Sequence, residues 1–259
     1  MNYYDRKQHI LEILTVSGGI SNINTLCKKI FSSPSTIRRD LITLEEEGII
    51  RRHHGYVSVV AKSATESPIG MRRIENQDKK MAMAEAAKNL FHDNMVIFLD
   101  SSSTVSYLAA GLKSRKNITV ITNGINVASQ LMNAQNIRCY LCPGVLKPNS
   151  LSIIGEYASA FLENFHAEAV FFSCKAINAR GIFEGNDAQG LVKRKMLENA
   201  DRGILLCDNT KELSSGFFKL CPLKQVHTLV SNAPFSEELE ESLQANMKEL
   251  IYAKKAEKQ

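Results

Sequence analysis

The sequence predicts a two-domain α/β protein, in which a small helical domain with a β-hairpin precedes an open, largely parallel α/β sheet. Two observations lead to this prediction. Residues 1–60 contain three short amphipathic helix patterns followed by two β-prone arms. After residue 94, short apolar runs alternate with helical patterns, which is typical of a parallel sheet with helices on both faces. A chain of 259 residues is long enough for two such domains.

The composition is ordinary for a globular protein, with 44% hydrophobic residues, 23% charged residues and a net charge of +5. No apolar run approaches the roughly 18 residues of a membrane-spanning helix, and the start of the chain lacks the apolar core of a signal peptide. Six cysteines are scattered through a chain too large to need disulfide bonds. We therefore expect a cytoplasmic protein with no membrane partner.

The first two helices are predicted over residues 5–17 and from a cap at Ser21 or Asn22 to Ile30. In each, the apolar residues recur at helical spacing and define one buried side. Residues 31–33, Phe-Ser-Ser, follow as a tight turn. We expect this turn to lead directly into a third helix.

The third helix has clear start and stop signals. Ser33 is a good N-cap, Pro34 suits the first helical position, and Gly48 can end the helix. The inward stripe is apolar and consists of Ile37, Leu41 and Leu44. The outer face and its flanks carry Ser35, Thr36, Arg38, Arg39, Thr43 and Glu46. Two short helices, a turn and a helix with this polar front make a helix-turn-helix, and we interpret the third helix as a DNA-recognition helix.

A small hairpin wing is predicted over Ile49–Val60, because two β-prone arms flank a short polar segment. That segment is Arg51-Arg52-His53-His54-Gly55. Contact with a DNA phosphate or backbone is the favoured role of the two histidines. A metal site is the alternative, but no further Cys or His stands at ligand spacing. Residues 61–67 are small and polar and are expected to form a linker.

The second domain is predicted from a long helix over residues 68–92 followed by alternating strands and helices. The predicted strands are residues 95–99, 118–122, 137–142, 167–172, 203–207 and 228–231. The predicted helices are residues 104–112, 127–132, 157–164, 189–199 and 237–248. The wholly apolar run 95–99 is expected to be a central strand.

The sequence resembles the DeoR family of bacterial transcriptional regulators. The family's N-terminal pattern appears as Ser33, Thr36-Ile37-Arg38-Arg39-Asp40-Leu41, Leu44-Glu45, Gly48 and Arg51-Arg52-His53-His54-Gly55. The second half resembles the family's sugar-phosphate sensor domain through Leu99-Asp100-Ser101-Ser102-Ser103-Thr104, Thr122-Asn123, Lys193-Arg194-x-Met196-Leu197 and Asp208-Asn209-Thr210-Lys211. The chain departs from the family pattern at Ser102, Ser103, Pro143-Gly144 and Gln189, and Gln189 stands where the family has an acid.

The resemblance implies a winged helix-turn-helix domain over residues 1–60, a linker over 61–74, a sensor and oligomerisation domain over 75–253, and a charged tail over 254–259. The sensor fold resembles ribose-5-phosphate isomerase. The implied protein is not an enzyme and needs no cofactor. It is a repressor of a sugar or carbohydrate operon, and its partners are a double-stranded DNA operator, a phosphorylated sugar or related metabolite, and further copies of the same chain.

Two alternatives remain for the second domain. One is an isomerase-like enzyme that uses Asp100 or Asp208 as a base, since enediol chemistry needs a positioned carboxylate. The other is a regulator whose sensor site has lost its ligand, which Ser102, Ser103 and Gln189 suggest.

The DNA-binding candidates lie on the third helix and the wing. Arg39 is expected to read a guanine, because recognition helices touch base edges near their N-terminal ends. Arg38 and the wing arginines are better placed for phosphates, and Asp40 is expected to pair within the domain. The candidate residues are Ser33, Ser35, Thr36, Arg38, Arg39, Thr43, Arg51, Arg52, His53 and His54. The alternative is a solvated basic face used for protein contact.

The effector-binding candidates follow the predicted strands. A hydroxyl-rich turn comes after residues 95–99, and open α/β sheets bind ligands at the carboxyl ends of their strands. Backbone and side-chain donors in such a turn suit a phosphate or a sugar. The candidate residues are Asp100, Ser101, Ser102, Ser103, Thr104, Asn123, Lys175, Lys193, Asp208 and Lys211. The alternative for the turn is a helix N-cap with no ligand.

The pair Cys139-x-x-Cys142 has the spacing of a redox or metal motif. In a strand, however, positions i and i+3 point to opposite faces, and no second pair accompanies this one. We therefore interpret the cysteines as core residues and expect neither a metal nor a cofactor.

Overall fold

The structure, a computed structural model, describes residues 2–17, 20–47, 49–53, 55–59 and 68–253. Two compact units divide between Glu75 and Asn76. Several predicted residues lie outside the described ranges. They are Gly48 at the end of the third predicted helix, His54 and Val60 of the predicted wing, residues 61–67 of the predicted linker, and the predicted tail at 254–259.

The N-terminal unit is a helix-turn-helix with a three-stranded sheet. Its elements are α1 (Tyr3–Val16), β1 (Ile20–Asn22), α2 (Ile23–Ile30), α3 (Pro34–Glu46), β2 (Ile50–His53), β3 (Tyr56–Val59) and α4 (Ile69–Ile74). Asn22 caps α2 by accepting a hydrogen bond from the Asn24 backbone N–H, and Ser33 caps α3 by accepting one from Thr36. Both caps satisfy a backbone donor that the first turn of a helix leaves unpaired.

The wing is the antiparallel hairpin β2–β3, and β1 adds a third strand against β3. The strand order is β1-β3-β2. One apolar cluster lies beneath the helices and the sheet and is formed by Ile10, Leu14, Leu26, Ile30, Ile37, Leu41, Leu44, Ile50 and Val57. The inward stripe of α3 that the sequence predicts is therefore buried, and its polar front faces outward.

The prediction of one long helix over residues 68–92 is wrong. The segment forms α4, then α5 (Gln77–Ala86), then a 3-10 turn over Ala87–Leu90. The break is at Glu75, which is extended, and Asn76, which is left-handed at φ 53°. Asparagine tolerates this conformation better than most residues, so the chain turns there although the apolar spacing continues.

The second unit is a doubly wound α/β domain, as predicted. After α5 its elements are β4 (Val96–Leu99), α6 (Ala109–Leu112), β5 (Ile118–Thr122), α7 (Ile125–Leu131), β6 (Ile137–Leu141), β7 (Val145–Lys147), β8 (Ser152–Ile154), α8 (Glu156–Leu162), β9 (Ala167–Phe172), β10 (Ala176–Asn178), β11 (Gly181–Glu184), α9 (Asp187–Glu198), β12 (Ala200–Leu206), β13 (Phe218–Cys221), β14 (Thr228–Ser231), α10 (Glu237–Asn246) and β15 (Glu249–Tyr252). The predicted helix over 104–112 is a 3-10 turn, Val105–Leu108, that continues into α6.

Seven strands form the main sheet in the order β15-β14-β12-β9-β4-β5-β6, and every pair in it is parallel. Along β4, Phe98 belongs to one apolar cluster, whereas Ile97 and Leu99 belong to the other. Because successive strand residues point to opposite faces, the two clusters lie on opposite faces of the sheet. Helices α8, α9 and α10 supply the first cluster, and α5, α6 and α7 supply the second.

The chain reverses its direction of growth between β4 and β9. From β4, the strands β5 and β6 extend to one edge, whereas β9 and the later strands extend to the other. Crevices at such a switch point, outside the carboxyl ends of the strands, are where open α/β sheets bind ligands.

Several short strands were not predicted. They are the hairpin β7–β8, the three-stranded sheet β10-β11-β13 and the edge strand β15. Each contains only three or four residues, which is too few for an apolar alternation to stand out.

Candidate functional site

The outer face of α3 presents a row of polar side chains. Ser35 and Arg39 are exposed and Thr43 is half-buried, and the three stand four residues apart on one side of the helix. The N-terminal end of this row is a small hydroxyl cluster in which Ser33 Oγ lies 2.9 Å from Ser35 Oγ and 2.8 Å from Thr36 Oγ1. Hydroxyls and an arginine on an exposed helix face can bind the edges of bases and the phosphates of DNA.

The four arginines of α3 and the wing differ in their partners. The guanidinium groups of Arg38, Arg39 and Arg51 form neither a hydrogen bond nor an ion pair with any residue in the described ranges. Arg52 is held by Glu45, whose Oε2 accepts from Nε at 2.7 Å and whose Oε1 accepts from the Arg52 backbone N–H at 2.7 Å. These two hydrogen bonds, from the backbone and then the side chain, lower the pKa of Glu45.

The wing histidine that the structure describes is engaged within the hairpin. The His53 ring stacks on Tyr56 at 4.4 Å between ring centroids, and its Nε2 lies 3.0 Å from Ser58 Oγ. His54 lies outside the described residues.

Asp40 pairs within the domain, as the sequence predicts. Its carboxylate is buried behind α3 and binds the guanidinium of Arg6 from α1. It therefore takes no part in the outer face.

In the second unit, Asp100 lies at the switch point of the sheet. It is fully buried directly after β4, and its Oδ2 accepts a hydrogen bond from the Ser173 backbone N–H at 2.9 Å. Its Oδ1 accepts from the Ser102 backbone N–H at 2.8 Å. Asp100 thus joins the loop after β4 to the loop after β9.

Lys193 of α9 is bound on three sides. Its Nζ lies 2.9 Å from Asp100 Oδ2, 2.5 Å from Glu184 Oε1 and 2.7 Å from the Ser173 carbonyl oxygen. Burial alone would lower the pKa of Lys193, but the two carboxylates outweigh it and raise that pKa above its ordinary value. All three ammonium hydrogens have acceptors inside the protein, so Lys193 is the centre of a buried charged cluster.

Lys211 is placed differently. It is half-buried, and its Nζ donates to Ser173 Oγ at 2.7 Å. Across the portion of the chain that the structure describes, Lys211 forms no ion pair with a carboxylate. An ammonium group with one neutral partner keeps two donors for a ligand.

Ser173 connects these groups and was missed by the sequence analysis. Its backbone binds Asp100 and Lys193, and its hydroxyl accepts from Lys211 and donates to the Leu206 carbonyl at 2.6 Å. A signal existed, because Ser173 directly follows the apolar strand β9 just as Asp100 follows β4.

The loops after β4 and β5 approach each other closely. A Cβ on Gly124 would lie 2.8 Å from the Cα of Ser101, so only glycine fits there. The hydroxyl of Ser102 accepts from the Val105 backbone N–H at 3.1 Å. The side-chain hydroxyls of Ser101, Ser103 and Thr104 form no hydrogen bond among the described residues.

Asn123 lies after β5 and is 1% exposed. Its Nδ2 donates to the Ile153 carbonyl oxygen at 2.9 Å, whereas no donor among the described residues reaches its buried Oδ1. A buried acceptor without a partner is costly, and a ligand hydroxyl would satisfy it.

Three further residues near these loops differ in their partners. Asp208 Oδ1 accepts from the Thr210 backbone N–H at 3.2 Å and caps a 3-10 turn. Gln189 donates to Ser152 Oγ at 3.1 Å and accepts from Lys147 at 3.4 Å. The predicted candidate Lys175 is exposed, and no described residue binds its ammonium.

The cysteines are mostly buried. Burial raises the pKa of Cys139, and raises that of Cys142 to about 12, so neither thiol ionises readily. Cys174 and Cys207 are also buried, with their sulfurs 3.7 Å apart.

No three His, Cys, Asp or Glu side chains of the described chain come together as metal ligands. None of the helices in the described ranges is both long and apolar enough to span a bilayer.

Comparison with known proteins matches both units. A model described as the DeoR-like helix-turn-helix domain matches residues 6–63, and one described as the DeoR C-terminal sensor domain matches residues 75–233. An uncharacterised HTH-type transcriptional regulator of Bacillus subtilis, YulB, is 33% identical over 230 residues and 88% of each chain.

Two further relatives have regulatory names. The HTH-type transcriptional repressor CsqR of Escherichia coli is 30% identical over 244 residues, which is 93% of this chain and 92% of the relative. The L-fucose operon activator of Haemophilus influenzae is 31% identical over 241 residues, which is 93% and 95% of the two chains. Among solved structures, ribose 5-phosphate isomerase A of Methanocaldococcus jannaschii is 18% identical with a TM-score of 0.39, over 52% of this chain and 54% of that one.

Proposed function

Because the chain belongs to the DeoR family of DNA-binding transcriptional regulators, we propose that it represses a carbohydrate operon and leaves its operator when a phosphorylated sugar binds. The family and the names of the relatives describe a regulator of transcription and not an enzyme. One of the relatives is named for a sugar operon, the L-fucose operon activator of Haemophilus influenzae. This name supports a carbohydrate operon as the target.

In our proposal, α3 enters the major groove and Arg39 reads a base. Arg39 is exposed near the N-terminal half of α3, where recognition helices contact base edges, and its guanidinium has no partner among the described residues. The guanidinium groups of Arg38 and Arg51 also have no partner among the described residues, and in this proposal they bind phosphates. Ser33, Ser35, Thr36 and Thr43 supply shorter polar contacts.

The observation that carries the effector proposal is Lys211. It is a half-buried cation without a carboxylate partner in the described chain, and it lies at the switch point of the sheet beside Ser173. A phosphate would satisfy its two remaining donors. The hydroxyls of Ser101, Ser103 and Thr104 form no hydrogen bond among the described residues, and together with Asn123 Oδ1 they would bind the sugar. Asp100 and Lys193 hold the loops in place in this proposal.

A single winged helix-turn-helix reads few base pairs, so we propose that two or more copies bind together in the cytoplasm. Two copies of α3 would then read half-sites about one helical turn, or a multiple, apart. Release requires the effector to bind the DNA-incompetent arrangement more tightly than the competent one.

The test has two stages. The full-length protein selects its operator from a randomised duplex library, and sugar phosphates and their unphosphorylated sugars are then screened for release of that operator. Release by a phosphorylated sugar, with no effect of the free sugar, supports the proposal. Selection of an operator that no compound releases, with no change in melting temperature on adding any of them, contradicts the effector half and leaves the DNA-binding half standing.

A further inference from the structure

Phe31, in the turn between α2 and α3, has an unusual combination of conformation and exposure. Its backbone is left-handed, with φ 53° and ψ 43°, and its N–H closes the end of α2 by donating to the Cys27 carbonyl oxygen. Its side chain is 94% exposed.

Neither backbone preference nor packing accounts for a phenylalanine here. A residue with a Cβ pays a steric cost in the left-handed region, and glycine is the usual residue at this position after a helix. An aromatic side chain normally recovers such a cost by being buried. The ring of Phe31 is almost wholly in solvent, so the folded unit on its own gains little from it.

The position of Phe31 relates it to the DNA-binding surface. It lies two residues before Ser33, the N-cap of α3. The residues of a recognition helix that meet base edges are those near its N-terminal end. The ring is therefore an exposed apolar group next to the N-terminal end of α3, the end proposed above to enter the groove.

We propose that Phe31 contacts the 5-methyl group of a thymine in the operator. On base edges in the major groove, that methyl is the apolar feature available to an apolar side chain. Wedge insertion between bases belongs to proteins that bind the minor groove, whereas α3 has the features of a major-groove helix. This inference rests on the proposed role of α3 as the reading helix.

The experiment combines a protein change with a change in the DNA. Full-length wild type and the Phe31→Gly variant are titrated against the operator selected by the wild type, and against duplexes in which each thymine in turn is replaced by uracil. At one position, we expect uracil to weaken wild-type binding about fourfold, the contribution of one buried methyl group. The same replacement should leave Phe31→Gly binding unchanged.

Stability and control variants separate this result from a folding defect. Because glycine relieves the left-handed strain, Phe31→Gly should melt at or above the wild-type temperature. Tyr4→Ala is the matched control, since Tyr4 is also an exposed aromatic residue but lies on α1. Its neighbours Tyr3 and Lys7 bind Glu47, which follows the C-terminal end of α3, so Tyr4 is far from the end that Phe31 precedes. The Tyr4→Ala variant should retain the uracil effect.

Two outcomes would overturn the inference. In one, no uracil substitution affects the wild type differently from Phe31→Gly. In the other, Phe31→Gly loses affinity equally on every duplex, which indicates a sugar or phosphate contact and not base reading. If Arg39→Ala still relaxes base preference in either case, α3 remains the reading helix and only the role of Phe31 fails.

Discussion

Arg6 in α1 binds both carboxylate oxygens of Asp40 in α3. Nε donates to Oδ2 at 2.6 Å and Nη2 donates to Oδ1 at 2.9 Å. Asp40 is 3% exposed, and its hydrogen bonds raise the pKa of Arg6. Since this planar, two-point contact joins the first helix to the back of α3, it fixes the orientation in which α3 presents its outer face.

Asp40→Asn should destabilise the N-terminal unit. The change removes the charge and leaves a largely buried guanidinium beside an amide. We expect a cost of about 2 kcal/mol, between the values for exposed and fully buried ion pairs. Urea unfolding of the full chain, followed by circular dichroism, measures it.

Asp5→Asn is the control, because Asp5 is an exposed carboxylate in the same first helix. Its removal should change stability little. Equal effects of the two variants would mean that the Arg6–Asp40 pair contributes no more than a surface charge.

Arg39→Ala and Arg51→Ala should impair DNA binding in different ways. Arg39→Ala should relax preference at one operator position, worth roughly 1–3 kcal/mol of discrimination. Arg51→Ala should weaken operator and random duplex alike and reduce the salt slope by about one unit. Fluorescence anisotropy over a salt series measures both.

Arg52→Ala provides the comparison. Because Glu45 already binds the Arg52 guanidinium, its loss should flatten the salt slope less than the loss of Arg51. Identical behaviour of Arg39→Ala and Arg51→Ala on specific and random DNA would contradict the assigned division between reading and phosphate contact.

The parts of the fold that the sequence predicts are those with strong local signals. The strands Ile118–Thr122, Ala167–Phe172 and Thr228–Ser231 match their predictions at both ends, because short segments rich in apolar and β-branched residues are typical of strands that are buried on both faces. The hairpin β7–β8 gives no such signal, since Val145 and Leu146 are exposed. The break at Asn76 depends on one backbone conformation that apolar periodicity does not record.

The candidate site divides in the same way. Asp100 and Asn123 follow apolar strands, so their position at the carboxyl edge can be inferred from the sequence. The partners of Lys193 cannot, because Asp100, Ser173 and Glu184 come from three separate segments that meet only in the folded sheet. Whether a lysine faces a carboxylate or an open site depends on such distant contacts. The sequence alone therefore does not distinguish the buried ion pairs of Lys193 from the open position of Lys211.

Lys193→Met should strongly destabilise the second unit. It leaves Asp100 and Glu184 as two buried carboxylates without their cation, and we expect a loss of about 4 kcal/mol at neutral pH. Urea unfolding of the full chain at neutral pH measures this loss.

Lys195→Met is the matched control on the same helix. Lys195 also lies between two carboxylates, 2.9 Å from Glu163 and 3.1 Å from Glu198, but these are exposed. Its loss should have little effect on unfolding. Adding Glu184→Gln to Lys193→Met should restore part of the stability, and a double variant no more stable than the single one would refute the charge argument.

Lys211→Met should separate effector binding from DNA binding. Its ammonium has two hydrogens available for a phosphate, so the affinity for the sugar phosphate that releases the operator should fall about ten- to hundredfold, the range for losing hydrogen bonds to a charged group. Operator affinity without the effector should not change. Thermal shift with increasing sugar phosphate measures the first quantity, and anisotropy measures the second.

Lys175→Met is the control that decides between the two candidate cations. Lys175 follows β9 within two residues of Ser173, but its side chain is exposed. A phosphate held in water by an exposed lysine gains little from it, because solvent screens the charge. Lys175→Met should therefore shift the effector affinity less than Lys211→Met. If instead Lys175→Met abolishes the response and Lys211→Met leaves it intact, the phosphate lies outside the switch point, and the hydroxyls of Ser101, Ser103 and Thr104 lose their assigned role with it.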